Sequence, residues 1–279
     1  MELPKFIFQA KENLIEKSWG GDWIPLLKGF KQSGIGESWE FSAHPSNPSE
    51  VLVKGKIVSM IELVSAARKE ILGKLAEKYT NFPILVKLLD VRERISVQVH
   101  PSDNDAKTLG ESDLGKDEGW LMLGQGIVYV GLKEDLTKLE PSEELIEKLN
   151  RFEAVKFETF KIPAGTIHFA ENARILEVST NSNLTYRIYD FGGREVQLDK
   201  AKKVANTRKI EISEIKGERG KLEMEKFAAE VIEVSGTVSL STNGVFNILF
   251  SVDGYTILRS EGEIADLHKG YSCLIPATT

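Results

Sequence analysis

The sequence predicts a mainly β protein with helical insertions, divided into residues 1–208 and a smaller C-terminal β domain at residues 209–279. Short alternating or aliphatic segments, separated by clusters of Gly, Pro, Asn and Ser, recur along most of the chain, as is typical of strands joined by turns. Helical spacing of apolar residues is confined to a few stretches. At 279 residues the chain is long enough for one large domain or two smaller ones.

Composition excludes several classes of function. The net charge of −6 argues against general nucleic-acid binding, although a small anionic substrate stays possible. Cys273 is the single cysteine, so the chain can form neither an intramolecular disulfide nor a cysteine-based zinc motif. The sequence shows no signal peptide and no apolar run long enough to span a membrane. We therefore expect a cytoplasmic protein without a membrane partner.

The first half of the chain alternates strand and helix patterns. Residues 37–42 alternate in character and predict a strand. Helical spacing from about 59 to 78 predicts one or two helices, with Gly73 as a possible break. The aliphatic run 84–91 predicts a buried strand, in which Lys87 either extends towards solvent or faces a cleft and holds an anion.

Strands dominate the second half. Residues 119–123 and 127–130 are interpreted as a hairpin around Gly124-Gln125-Gly126. A helix is predicted from 143 to about 152, with Ser142 as its cap. Further strands are predicted at 155–160, 167–169, 175–179 and 184–189, and short apolar pieces after 209 indicate the small β domain.

Residues 96–103, with the sequence SVQVHPSD, carry the first candidate site. Successive side chains of a strand point to opposite faces, so Gln98 and His100 share one face, and Pro101 ends the strand. An amide and an imidazole at the end of a strand can form half of a metal site. They can equally be two polar residues on a solvated face.

Two more ligand-type side chains stand at the edges of predicted strands. Glu118 precedes Gly119-Trp120, and His168 follows the turn Pro163-Ala164-Gly165. Together with Gln98 and His100 they form a mixed nitrogen and oxygen set that suits a divalent first-row metal with an open position. Taken singly, Glu118 can be a surface carboxylate and His168 a hydrogen-bonded histidine beside a turn.

The sequence resembles the type I mannose-6-phosphate isomerases, metal-dependent cupin enzymes, in their shorter form. The resemblance covers roughly residues 19–207, and its motifs occur in the order of the family: WGG at 19–21, GESWEFSAHP at 36–45, FPILVKLLDV at 82–91, SVQVHPSD at 96–103, GKDEGW at 115–120, PAGTIH at 163–168 and LEVSTNSNLTYRIYDFGGR at 176–194. Two departures stand out. Asp117 adds a charge where a small polar residue is expected, and the turn 192–194 does not follow the usual pattern.

A short internal repeat, Ile162-Pro163-Ala164 and Ile275-Pro276-Ala277, predicts a small C-terminal cupin-like domain, without metal ligands because no histidine follows the second copy. The resemblance implies a cupin (jelly-roll) barrel over residues 1–208. It implies one zinc ion per chain, with other divalent first-row metals as alternatives, and a small-molecule sugar phosphate as the partner of a monomer or homodimer. The implied residues are the metal ligands Gln98, His100, Glu118 and His168, the catalytic residues Glu177, Arg187 and Lys116, and the substrate-binding residues Lys87 and Ser96.

The implied chemistry fits these residue types. Interconversion of mannose 6-phosphate and fructose 6-phosphate moves a proton between C2 and C1 through a cis-enediol. Glu177 is a candidate base, and Arg187 with a metal can stabilise charge on oxygen. Two alternatives are another metal-dependent cupin enzyme of the dioxygenase type and a non-catalytic sugar-binding cupin. The lysines and Arg187 favour a phosphorylated substrate, and a binding module does not need Glu177.

Overall fold

The computed structural model describes residues 3–279 and confirms the mainly β prediction, with 39% of residues in strands and 16% in helices. The strands are β1 Ile7–Gln9, β2 Leu14–Gly21, β3 Ile35–Phe41, β4 Glu50–Val53, β5 Lys56–Ser59, β6 Ile84–Arg94, β7 Val97–Val99, β8 Glu118–Met122, β9 Gly126–Leu132, β10 Leu149–Ala154, β11 Thr159–Ile162, β12 His168–Thr180, β13 Tyr186–Tyr189, β14 Lys221–Glu223, β15 Ala228–Glu230, β16 Asn247–Phe250, β17 Tyr255–Ser260, β18 Glu263–His268 and β19 Ser272–Ile275.

The helices are short and connect strands along the chain. They are α1 Trp23–Leu27, α2 Met60–Ala66, α3 Arg68–Leu72, α4 Asp103–Thr108, α5 Glu143–Glu147, α6 Leu198–Val204 and α7 Ile212–Ile215, with a 3₁₀ turn at Gly73–Glu77. Ser59 starts α2 through a capping box with Glu62, which satisfies backbone N–H groups at the helix start. The predicted break at Gly73 is confirmed, because this residue has a φ of 57°.

A ten-stranded sheet curls into a half-barrel around the largest hydrophobic core. Its path is β10-β9-β12-β6-β2-β3, and β7, β8, β11 and β13 join it through β12 and one another. The thirteen-residue strand β12 is central, since it pairs with β7 and then β6 on one side and with β9 and then β8 on the other. Every predicted site residue lies on this sheet or in the loops beside it.

The predicted hairpin of 119–123 with 127–130 is wrong. Strands β8 and β9 both pair with β12, end to end, and not with each other. Gly126 passes so close to β12 that a Cβ there would lie 2.6 Å from the Cβ of Ala173. The predicted helix after Ser142 also ends earlier, at Glu147, because the chain then enters β10 beside β9.

A second sheet joins the two ends of the chain. Its order is β16-β19-β1-β4-β5, so the C-terminal strand β19 pairs with the N-terminal strand β1. Gly73 packs against this C-terminal region, because a Cβ there would lie 2.2 Å from the carbonyl oxygen of Gly244. The division of the chain at residues 208 and 209 stays a prediction. Within residues 3–279, no helix is long and apolar enough to cross a membrane.

Candidate metal and substrate site

One row of side chains crosses four strands in the barrel interior. Trp39 lies opposite Lys87, Lys87 opposite Glu177, and Glu177 opposite Trp120. Directly opposed residues of antiparallel strands share a face, so all four side chains point to the same side of the sheet. The next residues along this face are apolar and buried, as in the pair Leu89 and Ile175. The row therefore forms the boundary between the apolar core and a polar site.

An irregularity in β12 brings two of the predicted residues to this side. His168 and Glu177 are nine positions apart, so regular alternation along one strand would place them on opposite faces. The register shifts between Glu171 and Ala173, where Asn172 adopts a φ of 47°. A bulge of this kind interrupts the alternation and redirects the side chains beyond it.

Three buried side chains could hold a metal ion. His100 follows β7, Glu118 begins β8 and His168 begins β12, and their ligand atoms lie within 4.8 Å of one another. The two imidazole rings have centroids 4.9 Å apart. Strand pairing creates this proximity, since β12 is the common neighbour of β7 and β8.

Backbone carbonyl groups fix the tautomers of both histidines. The Nδ1–H groups of His100 and His168 donate to the carbonyl oxygens of Leu184 and Thr166, each over 2.8 Å. Each Nε2 is consequently an acceptor with a lone pair directed into the site. Burial lowers the pKa of His168 to about 3, with a further contribution from His100. Burial and the neighbouring Lys116 likewise lower the pKa of His100, so both rings are held in the neutral form that binds metals.

Glu118 is the anionic member of the group. Its Oε1 accepts a hydrogen bond from the indole N–H of Trp120, and its Oε2 lies 2.9 Å from Nε2 of His100 and 2.5 Å from Nζ of Lys116. Burial would raise the pKa of Glu118, but the Lys116 charge outweighs it and the pKa falls well below its usual value. Nε2 of His100 has no hydrogen-bond donor within residues 3–279. Two acceptors this close are stabilised by a shared cation, so the donor set fits a metal.

Gln98 adjoins the triad, as its position beside His100 predicts. Its side-chain amide nitrogen lies 3.1 Å from Nε2 of His168, and the Ser96 hydroxyl donates to its Oε1 over 3.3 Å. A 180° rotation of the amide would turn Oε1 towards the histidines. In the observed orientation the buried Ser96 holds the Gln98 side chain through this hydrogen bond. A contact of Ser96 with substrate stays a prediction.

Lys116 and Glu177 connect the triad with the row of side chains. Nζ of Lys116 donates to Oε1 of Glu177 over 2.9 Å, and Nζ of Lys87 lies 3.6 Å from the same oxygen. Burial alone would lower the pKa of Lys116, but Glu118 and Glu177 outweigh burial and raise it. Lys116 is therefore a permanent cation, which suits a hydrogen-bond donor and not a base.

Arg187 is the last predicted residue at the site. It lies opposite Gln98 on β13, and its backbone N–H donates to the Gln197 side chain over 3.1 Å. Its buried Nε has no hydrogen-bond acceptor within the described part of the chain. The guanidinium thus keeps a donor on the strand beside Gln98, and its approach to the metal site stays a prediction.

Sequence reasoning missed three residues around Lys87. Trp39 lies under its Nζ at 4.5 Å from the ring centroid, Glu37 lies 3.9 Å away, and Oδ1 of Asn183 accepts from it over 3.4 Å. The alternation of 37–42 places Glu37 and Trp39 on one face and could have indicated both. Nothing local in the sequence distinguishes Asn183 from a turn residue.

The environment of Glu37 makes the stability of the fold sensitive to acid. Burial would raise its pKa, but Lys87 and Lys17, with a hydrogen bond from Trp39, lower it to about 2 from the usual 4.5. A carboxyl group with a depressed pKa stabilises the folded state above its unfolded pKa, and this stabilisation is lost as the pH falls. We expect the free energy of unfolding of Glu37→Gln to lie below that of the native protein at pH 6. At pH 3 the difference in free energy of unfolding between the two proteins should be about 2 kcal/mol smaller than at pH 6.

Urea unfolding of both proteins at the two pH values measures this gap. The exposed Glu93, replaced by Gln, is the matched control and should show no such narrowing. An equal gap for Glu37→Gln at both pH values would contradict the expectation.

Two family models match parts of the chain. The family model described as "Phosphomannose isomerase type I, catalytic domain" matches residues 9–117, and "Mannose-6-phosphate isomerase, cupin domain" matches residues 220–279. Among curated proteins, "Putative mannose-6-phosphate isomerase YvyI" of Bacillus subtilis is 30% identical over 290 residues, which cover 94% of this chain and 90% of that protein.

Solved structures show the same fold. A structure described as "a putative mannosephosphate isomerase from Archaeoglobus fulgidus" is 52% identical with a TM-score of 0.94 and covers 100% of this chain and 93% of its own. The mannose 6-phosphate isomerase of Bacillus subtilis is 27% identical with a TM-score of 0.83, over 98% of this chain and 94% of its own. The cupin prediction is thereby confirmed.

Proposed function

The chain belongs to the mannose-6-phosphate isomerase family, and we propose that its barrel site interconverts mannose 6-phosphate and fructose 6-phosphate. A small-molecule sugar phosphate is the substrate class that follows. The observation that supports this most is the ion pair of Lys116 with both Glu118 and Glu177. This contact supports the proposal because Glu118, a proposed metal ligand, and Glu177, the proposed base, then share one buried cation.

Zinc is the proposed metal, one ion per chain. Two imidazoles, one carboxylate and the Gln98 amide oxygen are ligands that zinc accepts, with a further position left for substrate. His100, Glu118, His168 and Gln98 would hold it. When bound, the metal supplies a Lewis acid for an oxygen of the sugar.

Glu177 is proposed as the base. Its carboxylate lies between Lys116 and Lys87, which fixes its position without blocking both oxygens. It takes the proton from C2 of mannose 6-phosphate and returns it to C1, so the C2–H bond breaks and a C1–H bond forms. In between, the substrate is a cis-enediol, in which the C1 oxygen has gained a proton. When C1 is protonated, the C2 hydroxyl gives up its proton, and the carbonyl has moved from C1 to C2.

The cations have separate proposed tasks. Lys116 donates to the oxygen on which charge develops, since its neighbours keep it protonated. Arg187 offers its unpaired Nε–H to the same region. Lys87 and Ser96 are proposed to bind the sugar phosphate. Both are buried, so these contacts require the substrate to enter the barrel.

A coupled assay tests the proposed function directly. We expect the purified protein to form fructose 6-phosphate from mannose 6-phosphate, to lose this activity after chelation, and to regain it with added zinc. No activity in any metal state would contradict the proposal. Full activity in chelated protein, with no metal found by elemental analysis, would contradict its metal dependence.

A further inference from the structure

A hairpin from the C-terminal part of the chain packs directly against the strand that carries Glu118. Strands β14 and β15 form this hairpin, with Lys226 in its turn. The buried Leu222 contacts Gly119 so closely that a Cβ there would lie 2.5 Å from its Cδ2. The Thr159 hydroxyl adds hydrogen-bonding contacts of 3.0 Å to the carbonyl oxygens of Glu218 and Lys221.

Lys226 reaches from this hairpin to two carboxylates of the catalytic barrel. Its Nζ lies 3.0 Å from Oδ2 of Asp117 and 3.2 Å from Oδ2 of Asp103. Asp117 is the charge that departs from the family pattern, and it stands between Lys116 and Glu118. The structure gives that charge a partner outside the metal site.

The other oxygen of each carboxylate holds a loop of the site. Oδ1 of Asp117 accepts from the backbone N–H of Ala164 over 3.0 Å, in the turn that leads to His168. Oδ1 of Asp103 accepts from the backbone N–H of Gly115 over 2.9 Å, immediately before Lys116. Gly115 is closely packed there, since a Cβ would lie 2.2 Å from the Asp103 nitrogen.

These contacts converge on the segments that deliver two of the three triad residues. On the basis of the metal site proposed above, we propose that Lys226 is a positioning residue: it clamps Asp103 and Asp117 and so fixes the loops that carry Lys116–Glu118 and His168. Residues beyond the ligands orient a metal site and commonly determine its affinity. The C-terminal unit thus takes part in the metal site without providing a ligand.

Replacement of Lys226 distinguishes a positioning role from a purely electrostatic effect of its charge on metal binding. Loss of a positive charge near a metal site would by itself tighten cation binding. Loss of positioning loosens it. We therefore expect Lys226→Met to bind cobalt(II) about tenfold more weakly than the native protein and to show an altered visible absorption band. Partly exposed ion pairs contribute little to folding stability, so the Tm should stay close to the native value.

The experiment titrates the metal-free full chain with cobalt(II) and follows absorbance. Lys226→Arg, which keeps a cation between the carboxylates, should bind within about twofold of native. Lys221→Met is the matched control, because it removes a lysine of the same hairpin whose ion pair is with the exposed Glu223. Should Lys226→Met fold poorly, Lys226→Gln removes the same charge with a polar side chain of shorter reach and is expected to weaken binding in the same direction.

Equal or tighter cobalt binding by a folded Lys226→Met, with an unchanged band, would overturn the clamp. The titration needs no substrate, so it is independent of catalysis. A native protein that binds cobalt but forms no fructose 6-phosphate would overturn the proposed function and leave the test of Lys226 intact. A native protein that binds no cobalt would overturn both the metal site and the clamp.

Discussion

Replacement of Glu177 by glutamine is expected to lower kcat by about 10³-fold while the metal content stays at one ion per chain. The amide keeps the size of the side chain but cannot take the proton from C2, and general base catalysis contributes about 10²–10⁴-fold. The coupled assay with mannose 6-phosphate measures the loss, and elemental analysis measures the metal.

The matched control for this change lies on the same strand. Glu171 also stands on β12, where it pairs with Arg94 and accepts from the Tyr129 hydroxyl, away from the triad. Glu171→Gln should retain near-native kcat. Near-native turnover by Glu177→Gln would show that Glu177 is not the base. That result would not bear on the proposed metal site.

Replacement of His168 by alanine is expected to weaken metal binding by about 100-fold or more and to abolish measurable isomerisation. Loss of an outer contact alone costs about 10–100-fold in affinity, and His168 is proposed as a ligand. Its side chain is fully buried between His100 and Trp120, so some loss of folding stability accompanies the change. Metal content after dialysis, compared in folded protein, checks the result.

His44 provides the corresponding control. It is also buried, but its Nε2 contacts Asp113 over 3.0 Å and its Nδ1 contacts Ser46 over 2.7 Å, outside the triad. His44→Ala should keep one metal ion per chain. A His168→Ala protein with full metal content would show that the ion binds elsewhere.

Several features of the site are readable in the sequence because they are local. Strand alternation places Gln98 and His100 on one face, and in the structure both side chains lie close to His168. Lys87 and Glu177 are isolated charges in aliphatic runs. For Lys87 the sequence leaves open whether the side chain extends to solvent or faces a cleft, and the register places both residues opposite each other in the buried interior. Local pattern identified the residues, but the family resemblance was needed to group them.

Other features depend on contacts distant in sequence. The bulge at Asn172, which brings His168 and Glu177 to one side, has no marker beyond a residue tolerant of positive φ. The false hairpin of β8 and β9 arose because a Gly-rich turn between apolar runs usually joins paired strands, whereas here both pair with β12. The contact of Lys226 with Asp117 spans more than a third of the chain, and no periodicity predicts it.

This chain is proposed to move a proton between C2 and C1 of a sugar phosphate. The most direct measurement follows mannose 6-phosphate by proton NMR in D₂O with the zinc-loaded native protein. We predict the appearance of fructose 6-phosphate together with deuterium at its C1, because a proton carried by the Glu177 carboxyl group can exchange with solvent. Mannose 6-phosphate that stays unconverted, with its C2 proton retained, would contradict the claim.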